Sequence, residues 1–166
     1  MVKRSSRRQR QRGSSIIEFT FSAIPLMFII VSIFGMSITM WNYHTLAEAV
    51  KVTTREAASH GADCVGKSCS WTLGTAATYL SSHAIGVPVG KLNATFTSAG
   101  STQTCNPVST CTSSATVWPT LSTNVAGTTD ITVTASYTPI EAIGMMGFGT
   151  FSWSTLSAKS RQLVVY

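Results

Sequence analysis

The chain has 166 residues, of which 44% are hydrophobic and 11% charged, and its formal net charge is +6. This length allows one small domain with an anchor and excludes a large multidomain enzyme. Six of the twelve Lys and Arg residues lie within the first twelve positions, and the rest of the chain carries six bases and six acids. The excess charge therefore belongs to the N-terminal tail, which argues against a nucleic-acid-binding surface on the domain.

An uncharged apolar segment follows the basic tail. It occupies residues 19–43, and as a helix it is long enough to cross a hydrocarbon core of about 30 Å. Because six bases precede it, the positive-inside rule predicts a single pass with a cytoplasmic N-terminus and an extracytoplasmic C-terminal domain. The competing interpretation is a secretory signal peptide, but its apolar core should be shorter and end at a small-x-small cleavage site.

One carboxylate lies at the membrane edge of this segment, at Glu18. A carboxylate is costly in that position and is usually retained for a function. If the chain were cut after Gly13, the free amine of Ser14 would lie four residues before Glu18 on the same helix face. Amine and carboxylate could then neutralise each other, within one subunit or between neighbours. The simpler alternative is that Glu18 extends to the cytoplasmic interface of an ordinary signal anchor.

This N-terminal pattern resembles that of type IV pilin-like proteins. It combines a basic leader, a Gly followed by small residues, Glu at the fifth position after that Gly, an aromatic residue, and an apolar helix with an early proline. Within that group, residues 13–19, Pro25, Phe34-Gly35 and residues 54–58 are similar to TadE-like minor pseudopilins of the tight-adherence pilus system. The resemblance covers roughly residues 8–62. A second stretch, Tyr137-Thr138-Pro139-Ile140, also looks like the family's C-terminal pattern, because a Gly-rich apolar loop and a closing strand follow it.

The resemblance implies a bacterial inner-membrane protein that a prepilin peptidase cleaves between Gly13 and Ser14. The mature protein would help to assemble an adhesive pilus, with other pilins, pseudopilins and pilus assembly proteins as its partners. Phe19 stands where major pilins of this system usually have Tyr, which fits a minor subunit. The four cysteines of the outer segment are not part of the family pattern.

Helical spacing continues beyond the membrane segment. The uncharged residues that recur at this spacing are Leu46, Val50, Thr54 and Ala57. The pattern predicts one helix over residues 14–60. Pro25 lacks a backbone N–H and should kink it, which membrane helices tolerate.

We therefore expect a basic leader at residues 1–13, a long helix at 14–60 and a Ser/Thr-rich extracytoplasmic domain at 61–166. A short second helix is predicted over residues 75–84. Alternation typical of strands occurs at residues 92–96, 131–137 and 151–153. The expected fold class is α+β, with a pilin-like helix carrying a small antiparallel sheet, and the alternative is a disordered Ser/Thr-rich stalk.

The apolar segment at residues 140–149 is too short to cross a membrane and too apolar for an ordinary loop. One interpretation is a surface that binds a partner or touches the membrane. The other is that Met145, Met146 and Phe148 fold back onto the sheet.

Four cysteines, Cys64, Cys69, Cys105 and Cys111, lie on the predicted outside, where oxidation is permitted. Two disulfides are expected in one of three possible connectivities. The close spacings favour Cys64–Cys69 and Cys105–Cys111, whereas crossed pairs would tie the helix end to the sheet. A four-thiolate zinc site is the alternative, but it usually has two-residue gaps and a reducing compartment, so we predict no metal.

Residues 61–68 match the P-loop expression G-x-x-x-x-G-K-S. A P-loop needs a preceding strand, whereas a predicted helix precedes this one and Cys64 is expected in a disulfide. We therefore predict no nucleotide and no other cofactor. His44, His60 and His83 lack metal-ligand spacing and the acids are scattered, so no catalytic residue is assigned.

Two functions remain at this point. The first is a non-enzymatic TadE-like pseudopilin. The second is an uncleaved single-pass signal-anchor protein whose outer domain binds a ligand or a surface.

Overall fold

The computed structural model of the chain describes residues 7–60, 71–119, 127–139 and 155–164, with side chains from Ser15 onward. Within these ranges the helices are α1 (Arg7–His60) and α2 (Leu73–His83), and the strands are β1 (Leu92–Ser98), β2 (Ser101–Cys105), β3 (Asp130–Tyr137) and β4 (Leu156–Leu163). Single 3₁₀ turns occupy Val89–Lys91 and Val108–Thr110. The α+β class with a long N-terminal helix is therefore confirmed.

Two compact units divide the chain, Met1–Ile38 and Thr39–Tyr166. The boundary lies inside α1, so the last part of this helix belongs to the same compact unit as the sheet. Several predictions fall outside the described residues. These are the P-loop match at 61–68, the apolar segment at 140–149 and the strand at 151–153.

Between Ser15 and Ile38 the first unit is an apolar helix, and most of its side chains are exposed. The helix has a window of mean hydropathy 2.2, none of it buried, and is long and apolar enough to cross a membrane. Three of its hydroxyls are satisfied within the helix, because Thr20, Ser32 and Ser37 each donate to the carbonyl oxygen four residues earlier at 2.8 Å. Such bonds let Ser and Thr lie in hydrocarbon without an unpaired polar group.

The C-terminal part of α1 has a buried stripe instead. Its members recur three and four residues apart, and the apolar ones join the hydrophobic core: Leu46, Ala49, Val50, Thr53, Thr54, Ala57 and Ala58. Thr53 and Thr54 are fully buried, and their hydroxyls donate to the carbonyl oxygens of Ala49 and Val50. A one-sided stripe of this kind is what a helix packed on a domain requires.

The four strands form one antiparallel sheet in the order β2-β1-β3-β4. Strands β1 and β3 alternate strictly between buried and half-exposed residues, as the sequence predicts for residues 92–96 and 131–137. Phe96 on the buried face packs edge-on against Trp118, with ring centroids 5.2 Å apart. The sheet is therefore apolar toward the core and polar on its outer face.

Helix α2 packs closely on the segment that follows β2. The Leu73 N–H donates to the Thr116 carbonyl at 2.8 Å, and the Gly74 N–H donates to the Ser114 carbonyl at 3.1 Å. A Cβ added at Gly74 would lie 2.7 Å from the Ser114 carbonyl oxygen and 2.8 Å from that of Thr112. Only glycine fits at this approach. The helix begins two residues before the predicted start, at Leu73, where Thr72 caps it by accepting from the Thr75 N–H.

Candidate functional site

The residues predicted for processing and charge pairing all lie in α1. Gly13 and Ser14 are helical, and Glu18 follows Ser14 by four positions with its side chain exposed. Continuous helix therefore places Ser14 and Glu18 on one face, one turn apart. Pro25 also lies inside α1, and the kink expected there stays a prediction.

Large apolar side chains surround this site on every side of the helix. Those that are exposed between residues 16 and 30 are Ile16, Ile17, Phe19, Phe21, Ile24, Leu26, Met27, Phe28, Ile29 and Ile30. A helix that is apolar all round needs lipid or other apolar helices around it. Glu18 is therefore a single carboxylate in an environment that disfavours charge.

The charges on the two sides of Glu18 are unequal. No acid precedes it in the sequence, and the first turn of α1 holds no acidic residue. Arg7, Arg8, Arg10 and Arg12 lie on the N-terminal side within the same helix. The uncleaved helix thus begins with positive charge at the end where its own dipole is also positive, an arrangement that is unfavourable.

A disulfide joins Cys105 and Cys111, whose Cα atoms are 5.7 Å apart. This is one of the two pairings that the spacing favours. It also takes up two of the four thiolates that a zinc site would need. Cys64 and Cys69 lie outside the described residues. In the part of the chain that the structure describes, no group of three or more His, Cys, Asp or Glu side chains could hold a metal.

An open groove of about 530 Å³ lies along the outer face of the sheet, lined in part by Thr97, Thr132, Lys159 and Arg161. The Asp130 carboxylate accepts a hydrogen bond from the Arg161 guanidinium. This hydrogen bond, together with the attraction of the carboxylate, raises the pKa of Arg161 above its already high value. Arg161 therefore stays charged throughout the physiological range, which suits recognition of polar groups rather than proton transfer.

Sequence reasoning missed this groove because its charged pair comes from strands far apart in the chain. Arg161 lies on β4, which carries no regular apolar alternation. The available signal was the alternating pair Lys159 and Arg161, which marks one face of a strand.

Comparison with known protein families identifies a match over most of helix α1. The model of the TadE-like protein family matches residues 13–62. The chain carries a TadE-like segment. The match begins at Gly13 and extends just past the end of α1 at His60, so the TadE-like segment contains Ser14, Glu18 and Pro25. The C-terminal pattern at residues 137–140 lies outside it. No significant match was found among curated proteins or among solved structures.

Proposed function

We propose that this protein is a minor pseudopilin, a non-enzymatic subunit or assembly factor of a tight-adherence pilus. The observation that carries the proposal is the TadE-like segment at residues 13–62, which begins at the predicted cleavage site and coincides with the apolar helix. In this proposal the chain is a single-pass protein of the bacterial inner membrane with its N-terminus in the cytoplasm. Its partners are a prepilin peptidase, other pilins or pseudopilins, and pilus assembly proteins.

Cleavage between Gly13 and Ser14 changes the electrostatics of the helix. It removes six bases and leaves a chain with six bases and six acids. Before cleavage, the positive end of the helix dipole faces a run of arginines, which is unfavourable. After cleavage, Glu18 lies near the new helix N-terminus, where the dipole stabilises its carboxylate. The new α-amino group of Ser14 lies one turn away and supplies the opposite charge.

The exposed apolar surface of α1 supports a role in assembly. In the membrane this surface is covered by lipid, and in a filament it would be covered by the helices of neighbouring subunits. An unpaired carboxylate buried between helices would be strongly unfavourable, whereas one paired with an amine is tolerated. Glu18 therefore favours the assembled state only when an amine is available, in the same subunit or the next one.

The second unit supports a location outside the cytoplasm. Its disulfide between Cys105 and Cys111 is of a kind that persists in oxidising compartments. The outer face of its sheet is polar and carries the groove beside Arg161. This arrangement suits a domain displayed on the outside of an adhesive structure.

The experiment is intact-mass analysis and N-terminal sequencing of the protein extracted from membranes of its native host. We expect a chain that begins at Ser14, and a chain that keeps its leader in a strain lacking the peptidase. A chain starting at Met1 or Val2 with the peptidase present would instead favour an uncleaved signal anchor with a ligand-binding or surface-binding domain. A start beyond residue 40 would indicate a secretory signal peptide.

A further inference from the structure

We propose that the turn between α2 and β1, residues 84–91, is a second membrane contact, through which the outer domain rests on the lipid headgroup region. We call this segment the α2–β1 turn. The inference depends on the proposed function only in requiring that α1 spans a membrane. It adds a lipid-binding surface on the domain itself.

The position of the turn is fixed by its contact with α1. A Cβ built at Gly86 would lie 3.2 Å from the Asn42 side-chain oxygen and 3.9 Å from Nε1 of Trp41. Trp41 stands two residues before the end of the uncharged segment at 19–43. The α2–β1 turn therefore lies beside the point on the helix where the apolar run ends.

The neighbouring side chains on α1 have the character of a membrane interface. Trp41 is 63% exposed and Tyr43 is 41% exposed. Trp and Tyr concentrate at the level of the lipid headgroups, because their rings are apolar and their N–H or O–H groups need water. A loop in contact with Trp41 is thus held at headgroup depth.

The turn itself exposes apolar side chains. Ile85 is 67% exposed and Val89 is 37% exposed, whereas Ala84 and Val87 are buried in the core. Lys91, at the end of the turn, is also exposed. Its aliphatic stem can follow the apolar surface while its ammonium group reaches lipid phosphates.

Hydrogen bonds order the turn before it meets a surface. The Val87 N–H donates to the Ala84 carbonyl at 3.1 Å, and the Lys91 N–H donates to the Pro88 carbonyl at 2.9 Å. Gly86 adopts φ +87°, a conformation that favours glycine. Because the turn is already ordered, contact with lipid costs little further conformational entropy.

Lipid is the occupant that these observations favour. Ile85 directly precedes Gly86, whose Cβ position lies 3.9 Å from Nε1 of Trp41, so its exposed side chain belongs to a turn that meets α1 near the end of the apolar run. Exposed apolar side chains beside a lysine can bind a bilayer through buried apolar area and through attraction to anionic headgroups. At this depth the first apolar partner available to Ile85 is the bilayer.

The test is photo-crosslinking of the full chain in vesicles of phosphatidylethanolamine and phosphatidylglycerol. Three single variants are made, Ile85→p-benzoylphenylalanine, Phe34→p-benzoylphenylalanine and Thr102→p-benzoylphenylalanine. Position 34 is in the span, and position 102 is exposed on the outer face of β2. We expect intact mass to show a phospholipid adduct at positions 85 and 34 and none above background at position 102. Near-UV circular dichroism verifies that each variant is folded. We expect all three to fold, because each substituted side chain is exposed.

An adduct at position 34 without one at position 85 would overturn the inference and leave the membrane span intact. A crosslink from position 85 to a second copy of the chain would also overturn it, because the turn would then be a subunit contact. Absence of lipid adducts at position 34 would remove the span on which both the inference and the proposed function rest.

Discussion

Glu18 is separated from every other acid by a long stretch of chain, since the next one is Glu48. Both are exposed on α1, but their surroundings differ. Glu18 lies among apolar side chains in the first unit, whereas Glu48 lies in the second unit beyond the apolar run. This pair therefore allows the role of one carboxylate to be tested with a matched control on the same helix.

We expect Glu18→Gln to leave membrane insertion unchanged and to reduce incorporation into pili. The variant loses the charge that we propose pairs with the Ser14 amine. Because charged hydrogen bonds contribute about 1.5 to 3 kcal/mol, incorporation should fall by about tenfold or more. The measurement is the number of pili per cell by electron microscopy, with membrane-fraction immunoblots for insertion. Glu48→Gln should behave as wild type, and an unchanged pilus number in Glu18→Gln would argue against the pairing.

Gly74 offers a test of domain packing at a single residue. A methyl group there would meet two backbone carbonyl oxygens closer than 3 Å, and backbone cannot move aside as a flexible side chain can. Overpacking of this kind outweighs the gain in helix propensity. We expect Gly74→Ala to lower stability by roughly 1 to 2 kcal/mol, which is about 3 to 8 °C in Tm.

The measurement is thermal unfolding of the full chain in detergent, followed by near-UV circular dichroism. Gly90→Ala is the control, because nothing lies within 4 Å of the added Cβ and the position has no positive φ. Equal Tm values for the two variants would show that the approach of α2 to the Thr112 and Ser114 carbonyls is looser than described.

Among the elements, α2 depends on the segment that the disulfide holds. Its first two N–H groups donate to the carbonyls of Thr116 and Ser114, and Cys111 precedes that segment. Cys105 is fully buried in the core. The disulfide therefore fixes the acceptors that satisfy the N-terminus of α2.

We expect the double variant Cys105→Ala/Cys111→Ala to lose about 2 kcal/mol of stability, the loop-entropy value for so short a loop. Amide hydrogen exchange at Leu73 and Gly74 should accelerate more than exchange at Phe96 in the centre of the sheet. Mass-spectrometric or NMR exchange measurements on the full chain provide the comparison. Uniform acceleration at all three positions would mean that the disulfide acts on the whole domain rather than on α2.

Four elements were predictable because their patterns are local, and one of them is α2, which lies within two residues of its predicted bounds. Strands β1 and β3 carry strict alternation, and α1 combines an apolar run with a buried stripe. The N-terminal end of α1 extends further than predicted, to Arg7. Arg and Gln in the leader are good helix formers, so the helix continues through residues that the apolar pattern does not cover.

Strands β2 and β4 were not predicted from alternation because they lie at the sheet edges. In β4, Ser160 and Gln162 occupy the side that carries Ala158, while Lys159 and Arg161 lie on the other. An edge strand that buries little has weak apolar alternation. The groove could not be predicted from the sequence either, because Asp130 and Arg161 come into contact only when β3 pairs with β4. The four-residue spacing of Ser14 and Glu18 within one helix, by contrast, follows from the sequence alone, and their charge pairing stays a prediction.

For the whole molecule, the distribution of charge decides how firmly the helix is held in the membrane. The leader contains six bases and no acid. Each base costs about 2.5 to 3.5 kcal/mol at the bilayer centre on insertion scales. If the leader were not removed, all six basic side chains would have to enter the bilayer before the helix could move from the membrane into a filament.

We therefore expect Gly13→Val, which places a branched side chain before the scissile bond, to accumulate as full-length protein in the membrane fraction. Filaments sheared from the cells should lack it. Immunoblots of the two fractions make the comparison, and Gln11→Val, two residues upstream, should be processed normally. Full-length Gly13→Val protein recovered in sheared filaments would contradict retention by the leader charges.

The edges of the described sheet have a consequence for molecules crowded side by side. An edge strand exposes unpaired backbone groups that can capture a strand from another copy and start an aggregate. Here β2 is only five residues long and ends at the disulfide cysteine Cys105, while β4 carries Lys159 and Arg161. Pairing two β4 edges would bring like charges together, and β2 offers little length to extend. In the proposed pilus, copies of the chain could thus be concentrated through their helices without their sheets fusing into an amyloid-like ladder.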